Sequence, residues 1–288
     1  MSKAVDMMCI EGIVSYLEVN VPDLKDIKPI VEGLEQTGHK IDLGTYESTK
    51  VSKLHMATIL GEIDLVKELI QSGHEVNCQT RKKISPLLLA VFLNRHEIMT
   101  LLLENGANPN KCSRPYFDSP FQMSIIWGKR YAIEMMLDHG ADLESKVGTG
   151  CSVLHLAIMY GHVEIAKFLM KKGANVNSID NLFTTPLHLA VVLRRNEIIP
   201  ALLENKANLN SANHSKNTPL HLATIHCLRE AMEILMKSGA CLRRRNENGE
   251  IPLESCLTST GHGYNGYNQE SQIEIAQKAL RAFAFNLH

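Results

Sequence analysis

The stretch SVLHLAIMYGHVEIAKFLMKKGANVN at 152–177 carries the pattern that organises the whole chain. An apolar run leads to a polar break, a second segment with periodic apolar positions follows, and the phrase GANVN closes it. The two segments predict two short helices, and the glycine after the second suits a left-handed helix stop. The pattern recurs along the chain. TPLHLA stands at 185–190 and again, letter for letter, at 218–223. Aligned on the leucine of that hexapeptide, Leu54, Leu87, Phe121, Leu154, Leu187, Leu220 and Leu253 follow one another at steps of 33 residues, with one step of 34 before Phe121. A fixed period of this length marks a repeat architecture. Thr or Ser ahead of Pro caps the first helix, and Pro stands in its first turn, where a missing N–H costs nothing. Gly73, Gly106, Gly140, Gly173 and Gly239 hold the helix-stop position, whereas the fifth repeat places Lys206 there.

These letters resemble the ankyrin-repeat family. Its T-P-L-H-x-A signature is intact at 185–190 and 218–223, recognisable at 52–57, 85–90 and 152–157, and degraded to SPFQMS at 119–124. The resemblance covers nearly the whole chain. It implies an all-α ankyrin-repeat solenoid of stacked helix pairs with β-turn fingers, in which each pair borrows from its neighbours the burial it lacks alone. The chain then divides into an amino-terminal helix and capping half repeat (1–50), six repeats (51–250), and a carboxy-terminal capping repeat (251–288) with an inserted loop at about 259–269. QTGHKID at 36–42 echoes QSGHEVN at 71–77, and IEIAQ at 273–277 echoes VEIAK at 163–167. Met7, Ile10, Val14 and Leu17 form one terminal helical stripe and Ile273, Ala276, Leu280 and Phe283 another, both with capping as their default role. A lysine held in the left-handed conformation costs on the order of 1 kcal/mol relative to glycine, so the junction at Lys206 is expected to be a softer link.

Composition narrows the functions. Lys and Arg total 30 against 31 Asp and Glu, a balance that argues against nucleic acid as partner. Apolar residues make up 44% of the chain, enough for a sizeable core. The seven cysteines, Cys9, Cys78, Cys112, Cys151, Cys227, Cys241 and Cys256, are odd in number and unclustered, which reads as reduced thiols of the cytoplasm or nucleus. The opening MSKAVDMMCIEGIVSYL is interrupted by Asp6 and Glu11 and reads as a helix rather than a signal peptide. No apolar run approaches a membrane span.

His55, His155, His188 and His221 each follow a Ser or Thr by three residues, a spacing that a nucleophile and base could use. The spacing is an outcome of the repeat, and the resemblance implies a structural histidine that hydrogen-bonds between repeats. Leu88 and Gln122 replace it in two repeats. His74, His139 and His162 lack paired ligands at metal spacing, and the glycines follow helices where a phosphate loop would precede one. The expectation is no catalytic residue, no metal and no cofactor. Basic residues gather at the finger tips: Arg81, Lys82 and Lys83; Lys111 and Arg114; Lys216; Arg243, Arg244 and Arg245. Two readings stand for them, solvated turns or an electropositive edge that steers an acidic partner.

The resemblance implies that the two residues ending each first helix face a concave groove and select the partner. They are Ile59-Leu60, Phe92-Leu93, Ile126-Trp127, Met159-Tyr160, Val192-Leu193 and Ile225-His226, and only His226 is neither apolar nor aromatic. Tyr116 and Phe117 stand in the one finger that is a residue longer, where aromatics have little structural purpose. The expected site is therefore Ile59, Leu60, Phe92, Leu93, Ile126, Trp127, Met159, Tyr160, Val192 and Leu193, with Tyr116 and Phe117 at its lip. The expected function is non-catalytic recognition of another protein, as adaptor, scaffold or inhibitor, by a chain that is monomeric alone. The alternative is a regulatory subunit or substrate receptor of an enzyme complex such as a ubiquitin ligase. PLESCL at 252–257 lacks the Leu-x-x-x-Cys spacing of a ligase-recruitment box. An enzyme with a cryptic site at 259–270, where only His262 and Glu270 offer chemistry, is the remote reading.

Overall fold

The computed structural model describes residues 52–80, 83–111 and 119–258. The two terminal stripes, the lip residues Tyr116 and Phe117, and the 259–269 loop lie outside the described residues. The chain forms two compact units, Met1–Asp142 and Leu143–His288. The first holds three helix pairs: α1 (Lys53–Leu60) with α2 (Ile63–Gln71), α3 (Pro86–Phe92) with α4 (His96–Glu104), and α5 (Pro120–Ile126) with α6 (Arg130–Asp138). The second holds α7 (Val153–Met159) with α8 (Val163–Lys171), α9 (Pro186–Val192) with α10 (Ile199–Glu204), α11 (Pro219–Ile225) with α12 (Arg229–Lys237), and a further helix α13 (Pro252–Thr258). Within each unit first helices pack on first helices and second on second. No strand occurs among the described residues, only one isolated bridge between Lys146 and Ser152.

Each element begins where local chemistry allows. The hydroxyls of Ser52, Ser85, Ser119, Thr185 and Thr218 each accept the N–H three residues on, and Pro opens α3, α5, α9 and α11. Leu54, Phe121, Leu154, Leu187 and Leu220, the leucine register of the sequence, are all fully buried. So are Ala57, Ala157, Ala190 and Ala223 or nearly so, small residues that let neighbouring first helices approach.

Histidine ties each such repeat to the next. The Nε2 atoms of His55, His155, His188 and His221 face the carbonyl oxygens of Ile84, Thr184, Asn217 and Glu250 at 2.9, 2.9, 3.0 and 3.1 Å. A carbonyl can only accept, so Nε2 carries the proton and Nδ1 is left to accept from the cap. The cap hydroxyls of Ser52, Ser152, Thr185 and Thr218 lie 2.8, 2.9, 2.8 and 2.8 Å from it. The ring thus bridges its own helix start to the following finger. In α5 Gln122 keeps the local half of this arrangement, its Oε1 accepting the Ser119 N–H at 2.9 Å. Burial pushes the imidazoles of His55 and His188 down to about 4, and it lowers those of His155 and His221 in the same direction, outweighing the carbonyl hydrogen bonds and the nearby Asp180 and Glu250 carboxylates that act the other way.

A second tie joins neighbouring repeats. The asparagine that ends each GANxN-like phrase clamps the helix end of the next repeat. Asn77 donates to Gly106 O and accepts from Asn108 N, both at 2.8 Å, and Asn110 does the same to Gly140 and Asp142. In the second unit Asn177 holds Lys206 O and Asn208 N at 3.1 and 2.8 Å. The only signal in the sequence was the recurrence of the same amide at the repeat period.

The fifth repeat departs twice from the others. Pro200 removes a donor from the start of its second helix, and that start is a 3-10 turn, Asn196–Ile198, ahead of α10. Lys206 keeps the left-handed stop at φ 66°, beside glycines at 82–99° in the other second helices. Its backbone N–H still reaches Leu203 O at 2.9 Å, so the geometry is retained at the residue's cost.

Two outcomes follow from these ties. Lys206→Gly is expected to raise stability by about 1 kcal/mol, or about 2–4 °C in Tm by calorimetry; an unchanged or lower Tm contradicts the strain at this stop. The histidines set an acid limit. Their native rings resist protonation to about 4 while the unfolded rings titrate near 6.5, so their stabilisation is complete above the higher value and is lost as pH falls towards the lower. At pH 5 each of His55 and His188 then costs about 2 kcal/mol relative to neutral pH. Urea denaturation at pH 7 and 5 checks this: His188→Gln should lose less stability on acidification than the parent, and an equal loss refutes the linkage.

Candidate interaction face

The residues closing each first helix sit where the sequence places them. Leu60, Phe92, Ile126, Met159, Val192 and Ile225 are the last residues of α1, α3, α5, α7, α9 and α11, and Leu93, Trp127, Tyr160, Leu193 and His226 are the caps that follow in the later repeats. A chain leaving a helix turns away from the stacked interior, and side chains at that bend keep one side open. Of the twelve positions from Ile59 to His226, Ile59 alone is buried, at 8% exposure. This corrects the expectation for Ile59. Arg95 lies across that helix end, its Nη2 donating to Ile59 O at 3.1 Å, and its guanidinium stands where a side chain on Gly61 would go.

In the first unit Phe92 and Trp127 come together, ring centroids 5.2 Å apart and tilted by 58°, both half-buried. The tilted contact is worth about 1 kcal/mol beyond area burial and holds the two rings in a fixed relation. Leu93, Ile126 and Leu60 share this partly open row. In the second unit Met159 and Val192 are each 40% exposed, with Tyr160 and Leu193 half-buried. The sequence grouped Phe92, Trp127 and Tyr160 as one cluster; Phe92 and Trp127 belong to the first unit and Tyr160 to the second.

One finger tip also carries large apolar side chains, for which the sequence expectation had no place. Leu182 and Phe183, in the second unit, are 63% and 50% exposed. Phe183 is held at φ 58°, a left-handed conformation that a bulky side chain adopts at a cost. Asp180 fixes the turn by accepting from Leu182 N and Thr184 N, each at 2.8 Å, and the next finger joins through His214 N to Leu182 O at 2.9 Å. The tip position alternates Gly150, Phe183, Lys216 and Gly249 in successive fingers, all at positive φ, and the aromatic among them was the available signal. Of the basic finger residues, Lys83, Lys216, Arg243, Arg244 and Arg245 are exposed, and Lys111 is spent on Asn77 O at 3.1 Å. Arg81, Lys82 and Arg114 lie outside the described residues.

The remaining candidates for chemistry have structural duties. The ring nitrogens of the repeated histidines are engaged and enclosed, with no approach for a substrate. His74 Nδ1 and His139 Nδ1 sit on the helix carbonyls of Leu69 and Met135 at 3.1 and 2.8 Å. Cys78 contacts Ser52 Oγ at 3.2 Å, and burial raises its thiol away from the reactive thiolate. No helix among the described residues is long and apolar enough to cross a membrane.

Known proteins agree with this geometry. The family model of ankyrin repeats, in three copies, matches residues 54–147, 133–213 and 154–246. An ankyrin repeat protein of fowlpox virus (strain NVSL) is 30% identical over 133 residues, which are 46% of this chain and 39% of the viral protein. The chain therefore spans well under half the length of that relative. Among solved structures, the ankyrin repeat domain of Bcl-3 superposes with a TM-score of 0.70 at 24% identity, over 81% of this chain and 99% of that one. The human ASB11 ankyrin repeat domain gives 0.60 at 28% identity, over 74% of this chain and all of that one, 100%. The recurring signature, the histidine and asparagine ties and these matches together place the chain in the ankyrin-repeat family, whose repeats are a general protein–protein interaction module.

Proposed function

We propose that the protein is a non-catalytic adaptor or inhibitor that captures a partner protein through the helix-end residues of its two units, with Phe92 and Trp127 as principal anchors in the first, Tyr160 in the second, and the finger tips at the margin. The observation that supports this reading is that eleven of the twelve helix-end positions, a predominantly apolar set, stay partly or fully open: Met159, Val192 and His226 are exposed and the other eight are half-buried. Aromatic side chains dominate interface energetics because they bury large area at small entropic cost. Phe92 and Trp127 are already ordered by their mutual contact, so binding need not pay to order them. Leu60, Leu93, Ile126, Met159, Val192 and Leu193 supply the surrounding apolar surface. Tyr116 and Phe117 belong to the proposal as sequence candidates at the lip. The exposed Phe183 adds a finger anchor in the second unit.

Trp127→Ala combined with Tyr160→Ala is expected to abolish capture while leaving the helical circular dichroism intact. Affinity capture with parent and variant, followed by mass spectrometry of the difference, identifies the partner; undiminished capture by the folded variant rejects the row. Phe183→Gly separates stability from recognition: it should raise stability by about 1 kcal/mol by relieving the left-handed phenylalanine and weaken binding of the partner so identified. A variant that gains stability and binds unchanged removes Phe183 from the interface.

A further inference from the structure

Beside the helix-end row of the first unit lies a cavity of about 210 Å³, lined between the starts of α4 and α6. At about 30 Å³ per water molecule it holds about seven, room for one small polyatomic group. Its polar lining is Asn94, His96, Lys129, Arg130 and Tyr131, without a carboxylate. Arg95, at the register of Lys129 in the neighbouring repeat, reaches back to a helix-end carbonyl, Ile59 O. Lys129 makes no such bond, and its ammonium has no hydrogen-bond or ion-pair partner among the described residues. Burial is the sole cause that lowers the Lys129 ammonium from its ordinary value, and no acidic neighbour opposes it. Arg130 is positioned rather than loose, with its Nε on Glu134 at 2.7 Å. The His96 and Tyr131 rings lie 4.4 Å apart at 34° and form one aromatic wall.

We propose that this cavity is an oxyanion site, in which Lys129 supplies the principal charge, Arg130 and Asn94 supply further donors, and the bound group is a phosphate or a carboxylate. A half-buried cation without a counter-charge is an incomplete pair, and an oxyanion completes it with charge-assisted hydrogen bonds. The site is distinct from the apolar row and does not rest on the proposal for that row.

Trp127, the chain's one tryptophan, is two residues from Lys129 and reports on the site. Its fluorescence is titrated with inorganic phosphate and, separately, with acetate, against sodium chloride at matched ionic strength. At least one of the two should give a saturable change that chloride does not, and the tighter of them names the chemistry. Lys129→Met should weaken that binding about tenfold or more, Arg130→Gln should weaken it less, and Lys67→Met, a substitution elsewhere in the same unit, should leave it unchanged. Arg130→Gln carries the test should Lys129→Met fail to fold. Responses to phosphate and acetate no larger than to chloride overturn the proposal, as do parent-like titrations by the folded variants.

Discussion

Helices of seven to nine residues do not persist alone in water, because nucleating a helix costs more than so few hydrogen bonds return. Almost every helix among the described residues is of that length. The fold therefore depends on one constraint: each pair must lend its neighbour an apolar face and receive one in return. The fully buried leucine and alanine positions meet it by packing, and the imidazole bridge meets it by hydrogen bonding. The bridge does two things at once. It accepts the cap N–H at the start of one helix, and it fixes the loop from which the next helix starts.

Redundancy explains why the pattern tolerates exceptions. Leu88 gives up the imidazole but keeps the Ser85 cap at 3.2 Å, and Gln122 keeps the local contact with Ser119. The asparagine clamps act in parallel at the other end of each helix pair, and in the second unit Glu144 takes that place by accepting from Asn175 N at 2.9 Å. Pro200 and Lys206 fall in one repeat and loosen the same second helix at both ends. Strain of this kind persists because the neighbouring repeats over-determine the conformation.

The same economy separates architecture from recognition. Titratable groups that serve the stack are enclosed, neutral and bonded on both sides, which removes them from chemistry. Groups at the bends have no such duty. There the side chains are apolar or aromatic and partly open, as at Phe92, Trp127, Met159 and Val192, or cationic and unpaired, as at Lys129. Residues released from structural work are the ones available to a partner or a ligand.

The fold was legible in the letters because it is built from local rules repeated at one period. Caps, proline starts, the leucine register and the left-handed stops each follow from a few adjacent residues, so sequence alone determined the helix pairs, while the structural standing of His55, His155, His188 and His221 came from the family resemblance. Sequence also determined which residues end each first helix. What it could not decide was which of those side chains stay open, since that depends on what lies across them from the neighbouring repeat. Arg95 covers the end of α1 and Ile59 is closed off; Lys129, at the same register, leaves a cavity instead. The asparagine clamps and the exposed Phe183 likewise became intelligible only in three dimensions. Periodicity prescribes which positions repeat, whereas exposure and pairing are set by contacts some thirty residues distant, and those exist only once the repeats have stacked.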